Sequence, residues 1–180
     1  MTEVEKEINF GGIRVCNQFL DNKSFDWLDK KVKKLKYIET YQPKGHYYGN
    51  RYQAYPCYEN SNDLEISSLM RANITSLFGR QLKDFNLITR KTKSDELQKS
   101  KVNTPFGLIH SDDCDYASIL YFDQTVSGGT CFFEYQLDKY PDITVGAYPN
   151  RFIAYSGRRP HAPAYDYTFK ERYIVATFWN

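Results

Sequence analysis

The chain has 180 residues, 41% hydrophobic and 17% aromatic, with sixteen tyrosines and a formal charge of +2. That length suits one domain with a real core, and the near-neutral charge supplies no global field for nucleic acid. The charged N-terminus lacks an apolar signal segment and no run reaches the ~18 apolar residues of a membrane span. Cys16, Cys57, Cys114 and Cys131 form no C-x-x-C pair, so neither a zinc module nor a disulfide framework is expected; reduced thiols point to the cytoplasm.

Residues 1–12 are charged and then broken at Gly11-Gly12; Ile13–Cys16 reads as a first strand, with Phe19 and Leu20 packing after it. Asp21 or Asn22 can cap a helix. Its apolar face is Phe25, Leu28, Val32 and Leu35, and Lys30, Lys31, Lys33 and Lys34 form its solvated side. Residues 38–60 carry Tyr41, Tyr47, Tyr48, Tyr52, Tyr55 and Tyr58 with His46 and Arg51, and fit neither a helical nor a strand period. This stretch reads either as an irregular aromatic loop over the core or as a substrate lid, since loops on a rigid scaffold carry recognition. Tyr47, Tyr48 and Arg51 are candidate substrate contacts under the second reading. Asn62-Asp63 can cap a second helix with Leu64, Ile66, Leu69, Met70, Ile74 and Leu77 on its apolar side, stopped by Gly79. Asp84–Arg90 alternates like a strand, and Lys91–Asn103 is expected to be an exposed, mobile loop that rims a site together with 41–58. From residue 105 onward short strands follow in series, at 106–111, 116–123, 130–135, 143–147, 151–155, 158–163 and 172–179. Gly128-Gly129 reads as a turn. Such a series argues for a sandwich or barrel, with the two helices covering one face.

The chemistry-bearing residues sit in that second half. His110 and Asp112 flank Ser111 at the end of the apolar run Pro105–Ile109. On a strand, side chains i and i+2 face one way, so both could hold one ion. A second imidazole would complete a two-histidine, one-carboxylate face, a ligand set suited to non-haem Fe(II). Alone, H-x-D is a weak signal and more often describes two surface polar residues at a strand end. Arg172 opens the last strand, and period two gives two partly apolar faces: Arg172, Ile174, Ala176 and Phe178, or Tyr173, Val175, Thr177 and Trp179. Periodicity does not decide which face is inward.

His110-Ser111-Asp112, the SILYFD strand Ser118–Asp123 with the SGGT segment after it, the Asn150–Pro163 segment carrying His161, and Glu171–Trp179 carrying Arg172 fall in a telling order. Together they resemble the 2-oxoglutarate/Fe(II)-dependent dioxygenases over roughly residues 85–180, above all the prolyl-hydroxylase-like branch and small phage-encoded oxygenases of that type. The resemblance implies a mostly β chain with N-terminal helices: a double-stranded β-helix, the jelly-roll or cupin-type barrel, with two helices packed on one face. It implies one domain, 1–180, with 1–84 as helical support and aromatic loop and 85–180 as the catalytic β-core. It further implies an enzyme in which His110, Asp112 and His161 hold Fe(II), while Arg172 and Tyr121 hold the distal carboxylate of 2-oxoglutarate. O2 is the oxidant and ascorbate a further candidate cofactor. The implied reaction is hydroxylation of a C–H bond in a protein, peptide (prolyl included) or small molecule, with succinate and CO2 as coproducts. Arg159 is a further candidate substrate contact. A phage-encoded version would work in the host cytoplasm. Two departures stand out: Ile174 replaces the serine of the plant-type branch, and Ser100 stands where animal prolyl hydroxylases carry a tyrosine. A nucleobase oxygenase and a non-catalytic cupin-like metal-binding module are the alternatives; a zinc hydrolase would give Arg172 no role.

Overall fold

The computed structural model describes residues 2–9, 11–41, 46–47, 50–51, 56–61, 63–93, 106–107, 109–123, 125–136, 138, 140–164 and 171–180. Two antiparallel sheets face each other. The larger runs in the order β1 (Arg14–Cys16), β10 (Phe152–Ser156), β7 (Tyr116–Tyr121), β12 (Glu171–Trp179), β6 (Asn86–Lys93), β5 (Pro56–Asn60) and β2 (Ile38–Tyr41). The smaller holds β11 (His161–Ala164), β8 (Thr125–Phe132) and β9 (Ile143–Ala147), and β3 (His46–Tyr47) pairs with β4 (Asn50–Arg51) as a separate ribbon. This is the jelly-roll arrangement expected above.

Three helices cover the outer face of the larger sheet: α1 (Glu3–Asn9), α2 (Asn22–Lys34) and α3 (Leu64–Phe78). Asp21 caps α2 by accepting from the Ser24 amide at 3.0 Å, and Asp63 caps α3 by accepting from the Ile66 amide at 3.0 Å. Gly79 ends α3 at φ 66, a left-handed position that costs glycine nothing. Leu28 and Val32 of α2 and Ile66, Met70, Ile74 and Phe78 of α3 pack on Tyr116, Leu120, Phe152, Val175 and Trp179. Each such side chain, fully buried, contributes about 1.5–3 kcal/mol. Lys30, Lys33 and Lys34 lie on the exposed side of α2, where Lys33 pairs with Asp29 at 2.7 Å; Lys31, expected there too, instead turns to α3 and pairs with Asp63 at 3.1 Å. Helix α1 went unforeseen because seven mostly charged residues are too short to display a period, yet Val4 and Ile8, one turn apart, are both buried.

The sheet is covered on both sides, which explains why β12 carries two apolar faces. Tyr173, Val175 and Trp179 join the helix-side core. Ile174 and Phe178 join Ala117, Ile119, Tyr121, Ile153, Tyr155 and Phe132 between the sheets.

Four sequence expectations need correction. Residues 38–60 include β2 and β5, paired from Ile38↔Glu59 to Tyr41↔Pro56 and extending the larger sheet. The Gly and Pro breaks hide it in the sequence, because β5 is anchored on β6, which follows only after α3. Lys91–Lys93 continue β6, held by pairing with Tyr173, Arg172 and Glu171 of β12; residues 94–103 of the expected loop lie outside the described residues. Gly128-Gly129 is no turn but part of β8, at a shift of register against β9. Gly129 has φ 138, and a Cβ there would stand 2.0 Å from the Val145 carbonyl oxygen. The described residues of the 106–111 segment form only isolated bridges, Phe106↔Ala164 and His110↔His161. All four cysteines are free, and no helix among the described residues is long and apolar enough to cross a membrane.

Candidate metal centre

His110 and His161 oppose each other across a single antiparallel bridge, exchanging both backbone N–H···O bonds at 2.9 Å. A pair of that kind directs both side chains to one side, and the ring centroids lie 4.4 Å apart. Asp112 joins them because its amide donates to the Gly157 carbonyl at 2.7 Å. That close pass requires glycine: a Cβ on Gly157 would stand 2.5 Å from Cys114 Sγ. One ligand atom from each of His110, Asp112 and His161 lies within 4.8 Å of the other two. Asp112 Oδ2 is 3.4 Å from His161 Nε2, and Asp112 Oδ1 is 3.8 Å from His110 Nε2.

His161 Nδ1 faces the Arg159 carbonyl at 2.8 Å and donates to it, which leaves Nε2, the nitrogen on the Asp112 side, as the one that could hold an ion. His161 is 4% exposed, with the Tyr155 ring edge-on to it at 4.8 Å. Burial pushes the Tyr155 phenol well above its usual range, with the nearby Asp112 charge adding to it, so this hydroxyl stays neutral. Asp112 Oδ2 is buried and hydrogen-bonds to none of the described groups. A buried carboxylate oxygen without a hydrogen bond is costly, and a divalent ion shared with two neutral imidazoles would satisfy it. The donor set therefore fits a non-haem Fe(II)-type site.

The three residues line one end of a cavity between the sheets. Arg172, Thr130, Gly129, Pro163, Ile119, Ile174, Ala176, Phe178 and Tyr155 also line it, with Ile88, Arg90 and Thr92 of β6 along one side. Arg172 is buried, and it donates from Nη1 to the Ala164 carbonyl and from Nη2 to the Gly129 carbonyl, both at 3.0 Å. These bonds hold the guanidinium against the smaller sheet, three residues along β11 from His161. Tyr121 lies beneath it, with Arg172 Cζ 5.6 Å from the ring centroid, but Tyr121 is not among the cavity-lining residues. Its hydroxyl is 2.6 Å from Thr130 Oγ1.

Burial raises the Tyr121 phenol from 10.0 to about 12. The folded value exceeds the unfolded one, so this group's contribution to stability is intact below pH ~10 and falls as pH climbs toward ~12. Alkaline unfolding curves should show that decline in wild type and a shallower one in Tyr121→Phe. Equal slopes would mean that the phenol is not shielded.

No protein-family model matches the sequence, and no curated protein matches it. Solved structures do. A prolyl-4-hydroxylase from Pseudomonas putida superposes with a TM-score of 0.64 at 14% identity, over 98% of this chain and 96% of its own. A prolyl hydroxylase from Trichoplax adhaerens, in complex with a hypoxia inducible factor peptide fragment, gives 0.66 at 13% identity, over 98% and 86%. HygX from Streptomyces hygroscopicus, with nickel, 2-oxoglutarate and hygromycin B bound, gives 0.68 at 7% identity, over 100% and 87%. The chain has the fold of the 2-oxoglutarate/Fe(II) oxygenases. Within that fold, His110, Asp112, His161 and Arg172 all line one cavity.

The remaining candidates fall elsewhere. Tyr47 and Arg51 belong to the β3–β4 ribbon, but their side chains, like Tyr48 and Ser100 as a whole, lie outside the described residues. Arg159 lines a separate surface hollow with Ile8, Gly11 and Phe133. There its Nη1 donates to the Gly11 carbonyl, so its link to the oxygenase cavity is the carbonyl that orients His161. Sequence reasoning missed Arg90, Thr92, Thr130 and Tyr155. Arg90 lines the cavity while its Nε donates to Glu59 Oε1 at 2.9 Å across the β5–β6 pair. The alternation of Ile88, Arg90 and Thr92 along β6 was the available signal, but without the loop reading placed on 91–103 it would have extended to Thr92.

Proposed function

We propose that this chain is an Fe(II)- and 2-oxoglutarate-dependent dioxygenase that hydroxylates a C–H bond of a peptide, protein or small molecule. The observation that carries the reading is the convergence of His110, Asp112 and His161 at one end of a cavity whose far part is lined by Arg172. In this reading residues 1–180 act as one unit, the helices backing the sheet that lines the site.

His110, Asp112 and His161 would hold the ion, each offering one ligand atom at the cavity wall. With 2-oxoglutarate and O2 bound, the iron supplies the oxidising power, and succinate and CO2 are the coproducts. The Arg159 carbonyl keeps the His161 lone pair aimed at the ion. Arg172 binds the remote carboxylate of the cosubstrate as a charge-assisted pair and so sets its direction along the cavity. Ile119, Ile174, Ala176 and Phe178 exclude water around its chain. Support for both substrate classes comes from the similar structures, one with a peptide fragment and one with hygromycin B; a prolyl residue is the first candidate.

The test is formation of succinate from 2-oxoglutarate by the purified, Fe(II)-supplied protein, with and without ascorbate. A slow, iron-dependent yield without added substrate is expected, rising with the right peptide or small molecule. Complete absence of succinate with every candidate would favour the non-catalytic module.

A further inference from the structure

Two of the three candidate metal ligands rest on one turn, residues 157–160 between β10 and β11. The Gly157 carbonyl accepts from the Asp112 amide at 2.7 Å, and the Arg159 carbonyl accepts from His161 Nδ1 at 2.8 Å. The turn thus directs a carboxylate at one end and an imidazole at the other. Backbone bonds hold those ends: the Gly157 amide donates to the Asp115 carbonyl at 3.1 Å, and the Pro160 carbonyl accepts from the Phe133 amide at 2.9 Å. Between them, Arg158 reaches Asp115 only as an exposed pair at 3.8 Å, which contributes little.

The Arg159 side chain makes the stronger tie. Its guanidinium lies 5.5 Å from the Phe132 ring centroid, and its Nη1 donates to the Gly11 carbonyl. Pro160 confines the Arg159 backbone to extended conformations, so its side-chain and carbonyl directions are coupled. Gly11 belongs to a well-anchored segment. Its amide donates to the Ile8 carbonyl and the Gly12 amide to the Glu7 carbonyl, both at 2.9 Å, the paired bonds of a glycine-ended helix. Upstream, Val4 and Ile8 pack in the helix-side core and Glu5 pairs with Arg80.

We propose that Arg159 is a positioning residue of the metal centre: its guanidinium fastens the turn to the N-terminal segment and so holds the two carbonyls that direct Asp112 and His161. This rests on the oxygenase reading of the site, and it differs from the substrate contact that the sequence suggested for Arg159.

The test uses full-length Arg159→Met, which keeps an apolar stem over Phe132 but loses the donor, and Arg159→Lys, which keeps a donor. Calorimetric titration of the metal-free proteins with Mn(II) should show about tenfold weaker binding in Arg159→Met, the low end of the range for a lost orienting partner. Arg159→Lys should recover most of the loss. Long-range proton–nitrogen NMR of the metal-free proteins, where imidazole is neutral, should find the His161 hydrogen on Nδ1 in wild type and Arg159→Lys. In Arg159→Met it should be distributed over both nitrogens, a change that mere loss of stability in a folded protein would not produce. If Arg159→Met folds poorly, wild type alone still decides. Coupling is reciprocal, so saturating Mn(II) should slow amide exchange at Gly11 and Gly12 by a similar factor. Wild-type Mn(II) affinity or a single Nδ1-hydrogen tautomer in folded Arg159→Met overturns the assignment and leaves the oxygenase reading intact. Exchange at Gly11 and Gly12 that ignores Mn(II) does the same. A wild-type protein that binds no Mn(II) removes the oxygenase reading and this assignment together.

Discussion

His161→Ala should abolish stoichiometric binding of Mn(II) or Fe(II). The residue supplies the most enclosed of the three ligands: 4% exposed, and held through Nδ1 on the Arg159 carbonyl with Nε2 3.4 Å from Asp112 Oδ2. Loss of a partner that merely orients a ligand costs about 10- to 100-fold in metal affinity, so loss of the ligand should cost more than about a hundredfold. His110→Ala should weaken binding similarly. Asp112→Asn should do so as well, because a neutral amide replaces the one anionic ligand. Metal content after dialysis against a weak chelator is the readout. Full occupancy in both histidine variants would rule out this site.

Arg172→Ala should leave the ion in place and weaken 2-oxoglutarate by about two to three orders of magnitude. Stranding a buried anion without its cation costs about 3–5 kcal/mol, and each ~1.4 kcal/mol is tenfold. Arg172→Lys should recover only part of the loss, because an ammonium lacks the two parallel donors of the guanidinium and would not span the Ala164 and Gly129 carbonyls that hold it. Titration of the Mn(II)-loaded variants reads both effects. Unchanged affinity in a folded Arg172→Ala protein would assign the carboxylate to another cation of the cavity, with Arg90 the first to test.

Much of this site was legible in the sequence because its parts come in an order that resembles the oxygenases, although they sit on separate elements: a lone bridge at His110, β11 and β12. The spacing of His110 and Asp112 gave the pair, and the order gave His161 and Arg172. What remained illegible depends on contacts distant in sequence. Period two could not orient β12, because the helices bury one of its faces and the cavity the other. Tyr121 and Thr130 both lie on strands with inward faces, and only the packing of β7 against β8 shows which hydroxyl reaches the cavity. Gly128-Gly129 carries the composition of a turn, whereas the close approach of the Val145 carbonyl is what demands glycine. The tyrosines of 38–60 concealed an edge hairpin, since its partner β6 lies more than twenty residues downstream across α3.

The most direct test is a crystal structure of the protein with Mn(II) and 2-oxoglutarate, phased on the manganese signal. One ion should be coordinated by His110, Asp112 and His161, with 2-oxoglutarate reaching from it along the cavity to Arg172. Manganese bound elsewhere, or a cosubstrate whose remote carboxylate points away from Arg172, would contradict it.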